Sequence, residues 1–231
     1  MPSRWIDREL DAEVQDIVSH AEEYHETFYE TETFGGPSLH FHRRALDVGL
    51  NCWREKTELV YAALASWGMH RMGRAGSKMQ PFTLFEQSMT AVRHEIEELS
   101  QCAPQELSEQ NWQTLELVFK TIRVMASGTT IVGNSKVLAH FLPNLVAPVD
   151  REYTLNYLFN GKMFQNGLER EWILMRKIHA EFYYPILVVQ DFQIRSKNWM
   201  RNSESFPWDS SDLKLVDNLV IGAMRTRKDA N

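Results

Sequence analysis

Apolar residues recur at intervals of three and four along almost the whole chain, and that spacing admits little other than helices packed on helices. Residues 6–29 place Ile6, Leu10, Val14, Ile17, Val18, Ala21 and Tyr24 on one stripe. Thr83 can cap a helix whose inward face reads Phe85, Met89, Val92, Ile96 and Leu99. Ser108 can cap another carrying Trp112, Leu115, Phe119, Ile122 and Ala126, with Gly128 where that helix is expected to end. Further helices are expected over 151–159, 168–182 and 212–224, the last turning Leu215, Leu219, Val220 and Ala223 inward. Pro185 precedes the run Ile186-Leu187-Val188-Val189, which suits a strand or a first helical turn equally. Breaks are expected at Phe34-Gly35-Gly36-Pro37, at 73–81 and at 197–207. The expected class is all-α, a compact multi-helix bundle of two lobes with roughly eight to ten helices.

A chain of 231 residues can bury a substantial core as one large domain or two closely joined lobes, and 1–231 is read as a single domain. With 43% hydrophobic and 24% charged residues, disorder is excluded as the main state. No apolar run approaches the roughly 20 residues that span a bilayer, and Met1-Pro2-Ser3-Arg4-Trp5 opens no signal-peptide core. A soluble cytoplasmic monomer is expected. Cys52 and Cys102 are too few for a disulfide scaffold or a four-cysteine metal site, and are expected as reduced, packed thiols. The net charge of −6 opposes broad electrostatic capture of nucleic acid. Charge is uneven, however: residues 7–32 are acidic, whereas Arg43-Arg44, residues 71–78, residues 195–201 and the Arg225, Arg227, Lys228 group are basic. A local basic face therefore stays open.

The segment Ile131-Val132-Gly133-Asn134-Ser135-Lys136 is the most suggestive for chemistry. Residues 128–133 read as a short apolar hairpin between two helices, with Gly133 free to take positive φ. Asn134 or Ser135 is then expected to cap the next helix, whose first N–H groups would bind phosphate. A helix–hairpin–helix of this kind holds a DNA backbone through backbone donors rather than lysine count. Lys136 falls in the first turn of that helix, where an amine can serve as a nucleophile. Asp150 follows 150 − 136 = 14 residues later, behind Pro148-Val149, at a natural N-cap position. A carboxylate there can stabilise a developing sugar cation or activate water.

Val132-Gly133-Asn134-Ser135-Lys136 together with Pro148-Val149-Asp150 resembles the helix–hairpin–helix DNA glycosylases, over about residues 110–160. The resemblance implies that Asp150 is the catalytic aspartate and that Lys136 matches the Schiff-base lysine of members that also nick the strand. Gly133, Asn134, Ser135 and Arg151 would hold the DNA backbone. The substrate implied is double-stranded DNA with a flipped, modified or damaged base, whose N-glycosidic bond is cut to leave an abasic site. Three departures stand out. Ile131 replaces the first hairpin glycine, the segment between lysine and aspartate is about one helical turn short, and a C-terminal cysteine cluster is missing. If the shortening displaces Lys136, it becomes a phosphate contact and the strand is not nicked. The compact form suits a dedicated role, such as antiviral defence by excision of modified bases from phage DNA.

Two further segments bear on a base pocket. Trp67-Gly68-Met69-His70-Arg71-Met72-Gly73 can line a stacking wall, with His70 or Arg71 reading a base edge or a phosphate. It reads equally as a helix C-terminus capped by Gly73. His40-Phe41-His42 can form a lip of the pocket. On an extended segment the two histidines could share a metal, but no third ligand is evident and no metal or cofactor is expected. Trp199 and Trp208, among Arg195, Lys197 and Arg201, suit stacking on unpaired bases or packing under a loop. Two competing classes remain: a non-catalytic helix–hairpin–helix module binding DNA or protein, and a metal-dependent nuclease using His40 and His42.

Overall fold

Most residues of the sequence's apolar stripes are buried, but the helices that carry them break more often than periodicity suggests. The computed structural model describes residues 3–73, 76–126, 130–161 and 167–229. In chain order the helices are α1 Ser3–Ile6, α2 Asp11–Ser19, α3 Ala21–Thr31, α4 Pro37–Asp47, α5 Trp53–Ser66, α6 Phe82–Thr90, α7 Arg93–Leu99, α8 Glu109–Thr121 and α9 Thr130–Phe141. They continue as α10 Asn156–Phe159, α11 Leu168–Ile178, α12 Tyr184–Leu187, α13 Gln190–Arg201 and α14 Asp212–Asp229. Wider π-type turns, Arg151–Leu155 and His179–Tyr183, lead into α10 and α12. Among the described residues the only strands are Met72–Gly73 and Gly76–Ser77, two residues each and paired antiparallel. The fold is all-α, and Pro185 sits in a first helical turn rather than a strand. No helix among the described residues is long and apolar enough to cross a membrane.

The stripe over 6–29 is split at His20, and the stripe from Phe85 to Leu99 is split at Ala91 and Val92, yet Phe85, Met89, Val92, Ile96 and Leu99 are all buried. α6 starts behind Pro81 with no side-chain cap, so Thr83 does not act as one. Ser108 does cap α8: its Oγ accepts from Asn111 N, and the Asn111 side chain accepts from Ser108 N at 2.9 Å. α8 ends at Thr121, short of the expected Ala126, because 122–126 leaves the helix to pair with another segment. Gln80 N donates to Val124 O (2.9 Å) and Ala126 N to Lys78 O (2.8 Å).

Two compact units emerge, one formed by Met1–Thr33 with Val149–Asn231 and the other by Phe34–Pro148. In the first, α14 lies along α3. α3 turns Ala21, Tyr24, His25 and Phe28 inward at the i, i+3, i+4, i+7 spacing of one helical face. α14 answers with Leu215, Val216, Leu219, Val220 and Ala223. The backbones meet at Gly222, where an added Cβ would stand 1.9 Å from the Tyr24 carbonyl oxygen. Asp16 joins four elements, accepting from Tyr24 (3.1 Å), Tyr157 (2.7 Å) and Arg227 (3.2 Å). Burial and that carboxylate push the Tyr24 phenol up to about 12.

A buried polar network fastens the 202–211 loop to the same unit. His25 Nε2 bonds Asp209 Oδ2 at 2.8 Å, and Asn218 Nδ2 donates to Asp209 Oδ1 (2.8 Å) and Trp208 O (3.2 Å). Lys214 donates to the Asp217 carboxylate and to Asn218 Oδ1. Trp199 stacks on the His25 ring at 4.1 Å, and Trp208 is buried. These tryptophans are structural, and the reading of them as exposed stacking platforms is set aside.

In the second unit α4 packs on α5, and α5 on α6 and α9. Buried Lys56 of α5 donates to Ala45 O (2.8 Å) and Val48 O (2.9 Å), closing the carboxyl end of α4. Desolvation pushes its ammonium down to about 8. Of the two thiols, Cys52 is exposed rather than packed.

Gly222→Ala is expected to cost at least about 2 kcal/mol, because backbone cannot yield as a side-chain tip can. Gly35, where an added Cβ meets nothing within 4 Å, serves as the control, with Gly35→Ala staying within about 0.5 kcal/mol. Urea denaturation measures both; coincident curves for Gly222→Ala and wild type would refute the close crossing.

Candidate functional site

Helix α9 carries Lys136 and begins at Thr130, four residues before the expected cap at Asn134. Residues 127–129, with the expected helix end at Gly128, lie outside the described residues. Ile131, expected in a hairpin, is a buried residue of the first helical turn. Gly133 is helical and lets residues 124–125 lie close: a Cβ would meet Met125 Cγ at 2.4 Å and Val124 Cγ1 at 3.0 Å. Close packing, rather than positive φ, is what this glycine provides.

Asn134 and Ser135 are both 0% exposed. The Asn134 amide donates to Phe119 O at 2.7 Å and, at a longer 3.4 Å, to Ile122 O. It thereby satisfies carbonyls that the end of α8 would otherwise leave unpaired. The Ser135 hydroxyl turns back towards Val132 O (3.4 Å). The expected phosphate clamp of Gly133, Asn134 and Ser135 is therefore corrected: α9 already begins at Thr130, so these residues are not its free amino end, and all three are buried.

Lys136 is half-buried, with Nζ 5.8 Å from the centre of the Trp67 ring. One turn later His140 Nδ1 lies 2.7 Å from Lys136 O, and its Nε2 lies 3.1 Å from His42 Nδ1. The Trp67 ring centre stands 5.2 Å from that of His140 and 5.6 Å from that of His42. Four side chains from three separate stretches thus form one cluster, all within the second unit. The sequence singled out His42, Trp67 and Lys136 but missed His140. Its signal was present, since i+4 from a lysine is the same helical face.

Trp67 reaches this place through a helix ending. Gly68 has φ +78° and lets Gly68 N bond Ala65 O and Met69 N bond Leu64 O, a Schellman closure of α5. Gly68 is thus the cap expected at Gly73. Met69 is half-buried, His70 is exposed with Nδ1 donating to Ala65 O (2.6 Å), and Arg71 folds its guanidinium back towards Gly68. Neither His70 nor Arg71 joins the cluster through any contact seen here.

His40 and His42 lie on α4, not on an extended segment. Two positions along a helix differ by about 200°, so the pair cannot share a metal. His40 is exposed and His42 is buried. Among the described residues no group of three His, Cys, Asp or Glu side chains is placed to hold a metal ion. The shared-metal reading of His40 and His42 is accordingly withdrawn.

Asp150 belongs to the first unit and caps the turn that follows it, as expected. Its Oδ1 accepts from Glu152 N at 2.8 Å, and its own N–H donates to Thr154 Oγ1 at 3.1 Å. The carboxylate is only partly buried. Arg151, half-buried, begins the capped turn. Beneath it, burial and the Asp217 carboxylate hold the Tyr183 phenol well above its ordinary value, against a hydrogen bond from Thr154.

A separate depression of about 540 Å³ in the second unit is lined by Gln80, Leu84, Gln87, Lys120 and Arg123 among others, and includes none of the expected site residues. Comparison of the chain with family models, with curated proteins and with solved structures finds no match in any of the three.

If Asn134 caps α8 rather than a phosphate, Asn134→Ala is expected to cost about 1–3 kcal/mol of stability. A phosphate contact on the surface would instead leave stability within about 0.5 kcal/mol and weaken DNA binding. Thermal melts and a DNA titration of the same variant separate the two.

Proposed function

We propose that the protein is a DNA base-excision glycosylase, which extrudes a modified base and cuts its N-glycosidic bond. The observation that carries this reading is the convergence of Trp67, Lys136 and His42 in one cluster. A half-buried indole beside a cation and an imidazole is suited to receive a planar, electron-poor ring, and extruded bases are held by stacking of this kind. Lys136 supplies an amine at that platform, as nucleophile at C1′ or as a phosphate contact. Asp150 is the carboxylate that the sequence resemblance assigns to stabilising the cationic sugar. Its cap geometry holds one oxygen on Glu152 N and fixes the side chain. Modified bases, including those of phage genomes, are the substrates proposed.

Duplexes carrying a panel of modified bases, together with phage genomic DNA, test the activity after alkaline cleavage. Wild type is expected to generate abasic sites on at least one substrate, and Asp150→Asn to lose on the order of 10²-fold or more. Asn caps a helix about as well as Asp, so the melting temperature of that variant should hold. Binding without abasic sites, unaltered by Asp150→Asn, would leave a non-catalytic binding module instead.

Borohydride trapping decides the role of Lys136. A covalent adduct that vanishes in Lys136→Ala makes it the Schiff-base nucleophile. With no adduct in wild type, water is the nucleophile and Lys136 binds phosphate.

A further inference from the structure

The depression of about 540 Å³ in the second unit takes its walls from three stretches of chain. Leu84, Gln87 and Ser88 share one face of α6, at the i, i+3, i+4 spacing. Lys120 and Thr121 come from the last turn of α8, and Gln80 and Arg123 from the two segments that pair beyond it. Ser88 joins α6 to the second of those segments: its hydroxyl donates to Phe85 O (2.7 Å) and accepts from Arg123 N (3.0 Å). The bond from Gln80 N to Val124 O, at 2.9 Å, sets Gln80 beside that arginine. Ile122 and Val124 are buried while Arg123 is exposed, the alternation of an extended segment, so the backbone itself turns the guanidinium outward.

The lining is chemically one-sided. Among the described residues, the side chains of Arg123, Gln80 and Gln87 make no hydrogen bond and no ion pair. A guanidinium presents five donors in a planar fork and keeps its charge at any ordinary pH. Each amide adds two donors and an acceptor. Lys120 brings a second positive charge, held on one side by Glu116 at 2.5 Å. Glu116 does not line the depression, and neither does any other carboxylate among the described residues. Leu84, 46% exposed, gives the same wall an apolar surface. The volume falls within the roughly 300–1,000 Å³ of small-ligand sites. A bare inorganic ion on the arginine would leave the amides and Leu84 unused.

We infer that this depression binds a small organic oxyanion, a carboxylate or a phosphate monoester. Arg123 takes two of its oxygens side by side on the guanidinium fork, a geometry that both kinds of anion match. Gln80 and Gln87 bond the polar groups of its body, and Leu84 packs against its carbon skeleton. A concave wall of this size suits a molecule that enters it, whereas a DNA strand would meet only the rim. The site is independent of the glycosylase reading, since none of Trp67, Lys136, His42 and Asp150 lines it.

Proton–nitrogen spectra of the ¹⁵N-labelled protein, titrated separately with ribose 5-phosphate, succinate and inorganic phosphate, test the site directly. At least one of the two organic anions is expected to saturate below about 10 mM and to shift the Arg123 Nε–H and the side-chain amides of Gln80 and Gln87. Saturation by ribose 5-phosphate alone identifies a phosphate ester, and by succinate alone a carboxylate. Arg123→Gln should weaken that binding roughly ten-fold or more while the protein stays folded, because the lost side chain is at the surface. Arg43→Gln removes the same charge from an exposed position outside the depression and should leave the affinity unchanged. Equal weakening by both variants would reduce the effect to net charge and overturn the site. So would binding that Arg123→Gln does not diminish, or inorganic phosphate binding as tightly as either organic anion. If neither organic anion binds and duplex DNA binding falls in Arg123→Gln, the surface is a DNA-backbone contact and the small-ligand assignment fails.

Discussion

The Asn134 amide ties the carboxyl end of one helix to the second turn of the next, and the site in the second unit depends on it. Unpaired carbonyls at a buried helix end cost about 1–3 kcal/mol each, so α8 can finish against α9 only with a donor at this position. Gly133, the preceding residue, allows 124–125 to lie against the same helix. These contacts fix both the position and the rotation of α9. Rotation matters most, because it turns Lys136 and His140 towards Trp67 while Asn134, Ser135 and Val137 go inward. Residues that looked like the phosphate-binding part of the motif instead hold the face that carries Lys136 and His140 in place.

What was legible in the sequence was local. Apolar periodicity located most of the buried residues, and the Ser108 box and the Asp150 cap were both where the residue types put them. Each of those depends on neighbours within four positions. The start of α9 was not legible, because a β-branched run with a glycine has no firm local preference, and long-range packing against 124–125 decides it. The same holds for His40-Phe41-His42: helix and strand place such a pair on different sides or the same side, and three residues do not declare which. His140 was missed because one histidine on an apolar face is ordinary until its partner, His42, is known to lie 3.1 Å away.

Buried polarity is distributed differently in the two units. The first spends it on holding a loop, through His25, Asp209, Asn218 and Lys214, each with a partner. Such a network costs desolvation and returns a single arrangement of the loop rather than large net stability. In the second, buried Lys56 closes α4, the helix that carries His42. Its two carbonyl contacts therefore act on the site at one remove, by fixing where α4 ends.

The first unit is assembled from two stretches of chain with the whole of the second between them. α3 and the helix that covers it, α14, are separated by residues 32–211, which is 212 − 31 − 1 = 180 residues of sequence. At roughly 5–20 residues per second of synthesis, α3 waits on the order of ten to forty seconds for its partner. Residues 34–148 are contiguous and can close their own core within that interval. Until α14 emerges, Ala21, Tyr24 and Phe28 have no cover from it, and this apolar face of α3 is exposed on the nascent chain for that interval.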